Sequence, residues 1–330
     1  MTINFQNTLV IGVSSRALFD LEKENNIFET SSIDEYRRYQ LEHEELVLEK
    51  GAAYYLVEAL LKLNKYATTP NQRLVEVIVM SKNSPDTGLR IHHSIKHYNL
   101  DITRSAFSGG ESLAPFLQAF DVDLLLTKHI DDVQTAIDIE QCAAATIYDP
   151  PSDYLPDEER IRFAFDADAV IFSEDSEYIY KTEGMGPFQN NEQKNEDIEL
   201  KDGPFAKFIR VLSTIHNTIG SDKSPIKISI VTARNSPAHV RVIKTLRKWN
   251  VYVDQAFFLG GLAKEKVLKA LRPHIFFDDQ RVHVEPASKV VPSSQVPYKT
   301  GSPLRQFLEK QESLELTHIQ PIHPTEAKNE

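Results

Sequence analysis

Phe163-Ala-Phe-Asp-Ala-Asp-Ala-Val-Ile-Phe172 is an apolar run broken by two carboxylates, Asp166 and Asp168, set one residue apart. Alternate residues of an extended chain share a face, so two such acids just past a strand point to one side, where a divalent cation can be held. Asp-x-Asp also occurs in ordinary turns, and the ordered groups further along the chain set this one apart. Isoleucine-rich 227–231 leads into Thr232-Ala-Arg234. Lys264 comes soon after Gly260-Gly261, near the start of a helix, and His274-Ile-Phe-Phe-Asp278-Asp279 closes the series. Acids, a hydroxyl and a cation at or near the ends of buried strands predict a phosphoryl-transfer site.

Working outward, Leu9–Val13, Val75–Met80, Asp123–Thr127, Phe163–Phe165, Ile228–Val231 and Ile275–Phe277 read as buried strands. Amphipathic stretches Ala52–Asn64, Thr87–Tyr98, Phe205–Asn217 and Pro237–Trp249 read as helices between them. Alternating strand and helix predicts an α/β fold built on parallel sheets covered on both faces. At 330 residues the chain exceeds a usual single core. Two lobes are therefore expected, 1–150 and 151–300, joined through Pro150–Pro156, with a small flap near 184–203. Residues 301–330 are expected to form a tail, partly ordered from Thr317 onward.

A net charge of −11 opposes bulk binding to nucleic acid or an anionic membrane, since either needs a basic face. The single cysteine, Cys142 in an alanine-rich setting, excludes a disulfide scaffold or zinc ribbon and reads as a small core residue. No run approaches the length of a membrane span and no leader pattern opens the chain, so a cytoplasmic enzyme is expected. His93 and His97, four residues apart, lack the neighbouring glutamate and third ligand of a zinc site. Gly109-Gly110 lacks the Lys-Ser/Thr ending of a phosphate loop and reads as a tight turn.

The chain also repeats itself. A shift of 151 residues lays Gly109-Gly110 on Gly260-Gly261, Phe107 on Phe258, Asn99 on Asn250 and Arg90 on Arg241, which points to an internal duplication. At that shift Ser15 falls opposite Asp166, Ala17 opposite Asp168, Ser81 opposite Thr232, Thr127 opposite Asp278 and Lys128 opposite Asp279. The first half has lost the carboxylates, so catalysis is expected in the second. Ser15, Ser81, Lys82 and Lys128 would instead gather at strand ends as a metal-free anion or effector pocket, or else merely shape an interface between the lobes.

In the second half Asp166 fits a nucleophile, and Asp168 an acid that protonates the leaving oxygen and then deprotonates water. Mg²⁺ takes oxygen ligands, which Asp166, Asp278 and the Asp168 carbonyl would supply, with Asp279 orienting the site. Thr232 and Lys264 would hold phosphoryl oxygens. Arg234 either caps the strand end or contacts substrate.

The ordered set Asp166-Ala-Asp168, Thr232, Lys264 and Asp278-Asp279 resembles the four motifs of the haloacid dehalogenase superfamily. Val13–Phe19, Glu35–Glu44, Phe165–Ser173, Val231–Arg234 and Arg272–Gln280 are similar to the cytosolic 5′-nucleotidase I family, a likeness covering about residues 8 to 298. It implies a haloacid dehalogenase-like, Rossmann-like fold in each lobe and Mg²⁺-dependent removal of phosphate from nucleoside 5′-monophosphates. It further implies AMP as the favoured substrate of animal members and nucleoside diphosphates such as ADP as activators. Ala167 stands where many relatives carry glycine. A homo-oligomer is compatible with an enzyme of this type, although no heptad marks one. Two alternatives stay open: turnover of another small phosphomonoester, by hydrolysis or by transfer, and a nucleotide-binding regulator without turnover.

Overall fold

The computed structural model describes residues 5, 7–69 and 72–318; the last part of the tail, 319–330, lies outside the described residues, as does the start of the N-terminus. Among the described residues ten strands succeed one another: β1 (Leu9–Val13), β2 (Val75–Ser81), β3 (Arg104–Phe107), β4 (Leu124–Thr127), β5 (Ala143–Tyr148), β6 (Ile161–Phe165), β7 (Ile226–Thr232), β8 (Gln255–Phe258), β9 (Ile275–Asp278) and β10 (Ser293–Gln295). They form one sheet in the order β3-β2-β1-β4-β5-β10-β9-β6-β7-β8. Every pairing is parallel except β5 with β10.

β1, β2 and β4 are buried along their whole length, as expected of near-continuous Val/Ile/Leu runs covered by helices on both faces. The predicted helices appear with trimmed ends, as Tyr54–Leu61 followed by a 3₁₀ turn, Leu89–His97, Ala206–Ile219 and His239–Lys248. Cys142 is buried, and burial pushes its thiol up to about 12, in keeping with a core residue.

The fold is α/β, but the sheet is not divided between two lobes. β10, a short polar Ser-Ser-Gln segment, pairs with β9 on one side and with β5 on the other. It thereby satisfies the backbone groups that would leave each half with an open edge, and the two half-sheets become one. Helix Pro303–His318, in the stretch expected to be a tail, bridges the halves: Arg305 donates to Gln134 Oε1 at 2.8 Å, and Phe307 meets Tyr178 edge-on.

The strand order in the second half mirrors that in the first. β2, β3 and β4 each begin 151 residues before β7, β8 and β9. For β1 and β6 the offset is 152, because Ser14 N–H donates to Leu126 O just as Asp166 N–H donates to Phe277 O. Ser14 and Arg16, not Ser15 and Ala17, therefore stand opposite Asp166 and Asp168.

Past Arg16 the offset grows by one more. The loop after β6 carries an additional residue, Ala169, at φ 56° inside a single widened turn, Ala167–Ile171. In the first half the same place is an ordinary short helix, Ser15–Leu18. Each turn is pinned by an equivalent bridge, Phe19 with Lys50 and Phe172 with Asp202.

Candidate active site

Parallel strands deliver their C-terminal ends to one edge of the sheet, and that edge collects the predicted residues. Asp166 follows β6, Thr232 ends β7, Asp278 ends β9 and Asp279 comes next. Lys264 opens helix Lys264–Leu271. All five are buried, as are Asp168 and Arg234. The Lys264 ammonium lies 3.0 Å from Asp166 Oδ1 and 2.6 Å from Asp278 Oδ2. One carboxylate oxygen from each of Asp166, Asp278 and Asp279 comes within 4.8 Å of the other two.

Three buried acids around one ammonium leave negative charge uncompensated, a costly arrangement unless a cation completes it. Burial first, then the charges of Asp278 and Asp168, push the Asp166 carboxyl up to about 6 despite Lys264. Burial and the charges of Asp278 and Asp166 push Asp279 well above the carboxylate range. Burial alone would raise Asp278 too, yet Lys264 and His283 hold it below its ordinary value. Asp279 Oδ1 is buried without a hydrogen-bond partner, and Asp166 Oδ1 meets only the ammonium. Hard oxygen donors, two of them unspent, fit a divalent cation such as Mg²⁺. His283 and Gln280 brace Asp278, while Tyr298 donates to Asp279 Oδ2.

The Asp168 carboxylate lies outside that cluster. Arg234 grips it through Nε at 2.7 Å and Nη2 at 2.6 Å. Nη1 of the same arginine turns to Glu192 and the Ala238 carbonyl. Glu192 in turn takes Arg241 at 2.9 Å and the Ser176 hydroxyl at 2.9 Å. Every guanidinium nitrogen of Arg234 is thus occupied within the chain, binding the core to helix Met185–Lys194.

That helix and its neighbour Asp175–Glu183 form a hairpin over the site, so the covering element starts earlier than the flap expected near 184–203. The hairpin contributes Glu177, whose carboxyl is pushed up to about 7 by burial and by the charges of Asp168 and Asp166. Neither Glu177 nor Glu192 stands out in the sequence, because each sits in a polar stretch where glutamates normally face water. Tyr298 escapes sequence reasoning for a similar reason, since it belongs to the irregular run past Pro292.

Of the residues expected to form an anion pocket in the first half, Ser15, Ser81 and Lys82 line one cavity of about 440 Å³. Lys128 does not join them, because its ammonium is turned to Glu22 at 2.8 Å and Asp149 at 2.7 Å. His93 Nδ1 faces the Glu44 carbonyl. Among the described residues no helix is long and apolar enough to cross a membrane.

A sequence model of the 5′-nucleotidase family matches residues 1–303. The chain is similar to human cytosolic 5′-nucleotidase 1B, with 34% identity over 293 residues that cover 86% of this chain and 48% of that protein. It therefore spans about half the length of this curated relative. No solved structure matches it. With the motif residues converging on one sheet edge and a family match running through both halves, the chain belongs to the 5′-nucleotidase family.

Proposed function

We propose that the protein hydrolyses nucleoside 5′-monophosphates, AMP foremost, in a Mg²⁺-dependent reaction through an aspartyl phosphate on Asp166. The observation that carries this is the meeting of Asp166, Asp278 and Asp279 oxygens beside the Lys264 ammonium. Family membership supports the reaction class, and the name of the human relative supports a cytosolic setting. AMP preference and activation by a nucleoside diphosphate rest on the sequence resemblance.

In this reading an Asp166 carboxylate oxygen attacks phosphorus and the bond to O5′ breaks. Asp168 gives a proton to the departing alkoxide. Asp168 then takes a proton from water as the water attacks the phosphoaspartate, which releases phosphate and restores Asp166. Arg234 fixes the orientation of Asp168, and each carboxylate oxygen keeps a further lone pair for the transferred proton. The Thr232 hydroxyl, which accepts from Arg234 N–H, retains its own hydrogen for a phosphoryl oxygen. Lys264 neutralises charge on the same group. Asp166, Asp278 and Asp279 would hold a divalent cation, which when bound would supply charge neutralisation for the phosphoryl group.

Duplication is proposed as the origin of the two halves, supported by the mirrored strand order and the 151-residue offsets. The first half then covers the substrate or regulates its turnover, and the second performs catalysis. Self-association of the chain is proposed only as compatible with such an enzyme.

Phosphate release from AMP, IMP, GMP, CMP, UMP, deoxynucleotides and sugar phosphates, with and without Mg²⁺, tests the reading. AMP turnover that needs Mg²⁺ and disappears in Asp166→Asn, with the fold intact, is the expected result. Substantial turnover in that variant would assign the nucleophile elsewhere.

A further inference from the structure

The first half holds a cavity at the place that corresponds to the catalytic centre of the second. Ser14, Ser15, Arg16, Ser81 and Lys82 line its polar side, at the C-terminal ends of β1 and β2. By strand register Ser14, Arg16, Thr127 and Lys128 occupy the places of Asp166, Asp168, Asp278 and Asp279. None of these four places carries an acid, and the two that line the cavity, Ser14 and Arg16, offer a hydroxyl and a cation, so this edge favours an anion without any metal. Leu113, which also lines the cavity, takes the place of Lys264. The cavity therefore lacks both the nucleophile and the phosphoryl lysine of its counterpart, and what remains is suited to binding.

Three details show donors and acceptors left unspent. Arg16 Nε is buried without a hydrogen-bond partner although its Nη2 reaches Glu22 at 3.1 Å. Asp132, only 8% exposed, holds the Lys82 ammonium at 2.7 Å through Oδ1, while its Oδ2 has no partner. The Ser15 and Ser81 hydroxyls lie 3.0 Å apart, and either can donate, so one hydrogen of the pair can turn to a ligand. Glu24, the other acid lining the cavity, is already paired with Arg90 at 2.6 Å.

The lining also includes apolar and aromatic side chains. Phe28 and Tyr36 pack edge-to-face with centroids 5.4 Å apart. Phe28 is 54% exposed and Ile33 69% exposed, a pair of large apolar side chains left in water at the rim. A volume of about 440 Å³ lies within the range that encloses a small organic ligand.

We propose that this cavity is a second, metal-independent nucleotide site, with the base against Phe28 and Tyr36 and the phosphate at the Ser14, Ser15 and Ser81 hydroxyls beside Arg16 and Lys82. The choice of a nucleotide over other ring-bearing anions rests on the proposed substrate class. Calorimetric titration of the full chain carrying Asp166→Asn with AMP and with ADP, in buffer containing EDTA, tests it. Saturable binding at one equivalent is expected, weakened about tenfold or more by Arg16→Gln and by Phe28→Ala, and weaker for adenosine or ribose 5-phosphate than for either nucleotide. Phe28 is half-exposed, so its truncation leaves the core untouched. The proposal is overturned by an absence of saturable binding up to millimolar nucleotide, or by unchanged affinity in both variants. A wild-type chain that releases no phosphate from AMP would sink the catalytic reading while leaving the EDTA titration to decide the second site.

Discussion

Arg234 shows how one side chain can tie a proposed acid–base residue, Asp168, to the stability of the fold. Its three nitrogens hold Asp168, Glu192 and the Ala238 carbonyl in a buried setting, and the charges of Asp168 and Glu192 raise its pKa against the opposing effect of burial. Arg234→Ala would leave Glu192 to Arg241 and strand Asp168, so a loss of about 3–5 kcal/mol is expected in denaturant melts. Arg234→Lys keeps a charge but cannot fork, and turnover should fall by about 10²-fold through misplacement of Asp168. Unchanged turnover in the lysine variant would remove Arg234 from the positioning role. His274 gives a separate, pH-dependent expectation. It is buried, accepts from Arg162 N–H through Nδ1 at 3.2 Å, and burial depresses its pKa to about 4. A histidine lowered on folding contributes stability above its unfolded value and loses it as pH falls. The loss should run from about pH 6.5 down to about pH 4 and reach on the order of 3 kcal/mol. Comparing denaturation of the wild type and His274→Gln across that window isolates the contribution, and parallel curves would refute it.

At the scale of elements, the loop after β6 is held by close backbone contact. A Cβ on Gly203 would sit 2.3 Å from Phe172 O and 2.7 Å from Val170 O, against carbonyls in and just past the turn that carries Asp168. Gly203→Ala should cost about 1–3 kcal/mol through overpacking and should also lower turnover, because the turn carries Asp168. Gly186 offers the matched control: it lies in helix Met185–Lys194, and a Cβ there meets nothing within 4 Å. Gly186→Ala should be neutral or stabilising by up to about 1 kcal/mol. Equal melting temperatures for the two variants would contradict the steric account. The hairpin formed by Asp175–Glu183 and Met185–Lys194 is bound to the core through Glu192, so the hairpin and Asp168, the proposed acid–base residue, share one ionic network.

For the whole molecule, the consequence of β10 is that the halves share a sheet. A single cooperative unfolding transition is expected for the full chain, tracked both by the near-ultraviolet signal and by the far-ultraviolet signal. Residues 151–330 expressed alone would present the β10 edge once paired with β5, and should aggregate or remain unfolded. Two well-separated transitions in the full chain, with a soluble and folded second half, would show that the antiparallel junction is dispensable.

The strongly apolar strands and the motif acids were legible without coordinates because parallel sheets demand continuous buried runs and because β6, β7 and β9 end in chemically distinctive residues. Asp166, Thr232, Lys264, Asp278 and Asp279 announced themselves by residue type and order, and the α/β class came from alternation. Three things depended on packing. β10 is too short and polar to signal a strand, and only the two edges it bridges make it one. Glu177 and Glu192 look like solvent-facing glutamates until the hairpin folds them inward. The pairing of Ser14, and not Ser15, with Asp166 is set by the register of β1 and β6 against β4 and β9, and the further residue past Arg16 is accommodated at Ala169 in a left-handed conformation. Residue chemistry is local and so is written along the chain, whereas the closing of a sheet edge and the burial of a charge belong to neighbours distant in sequence.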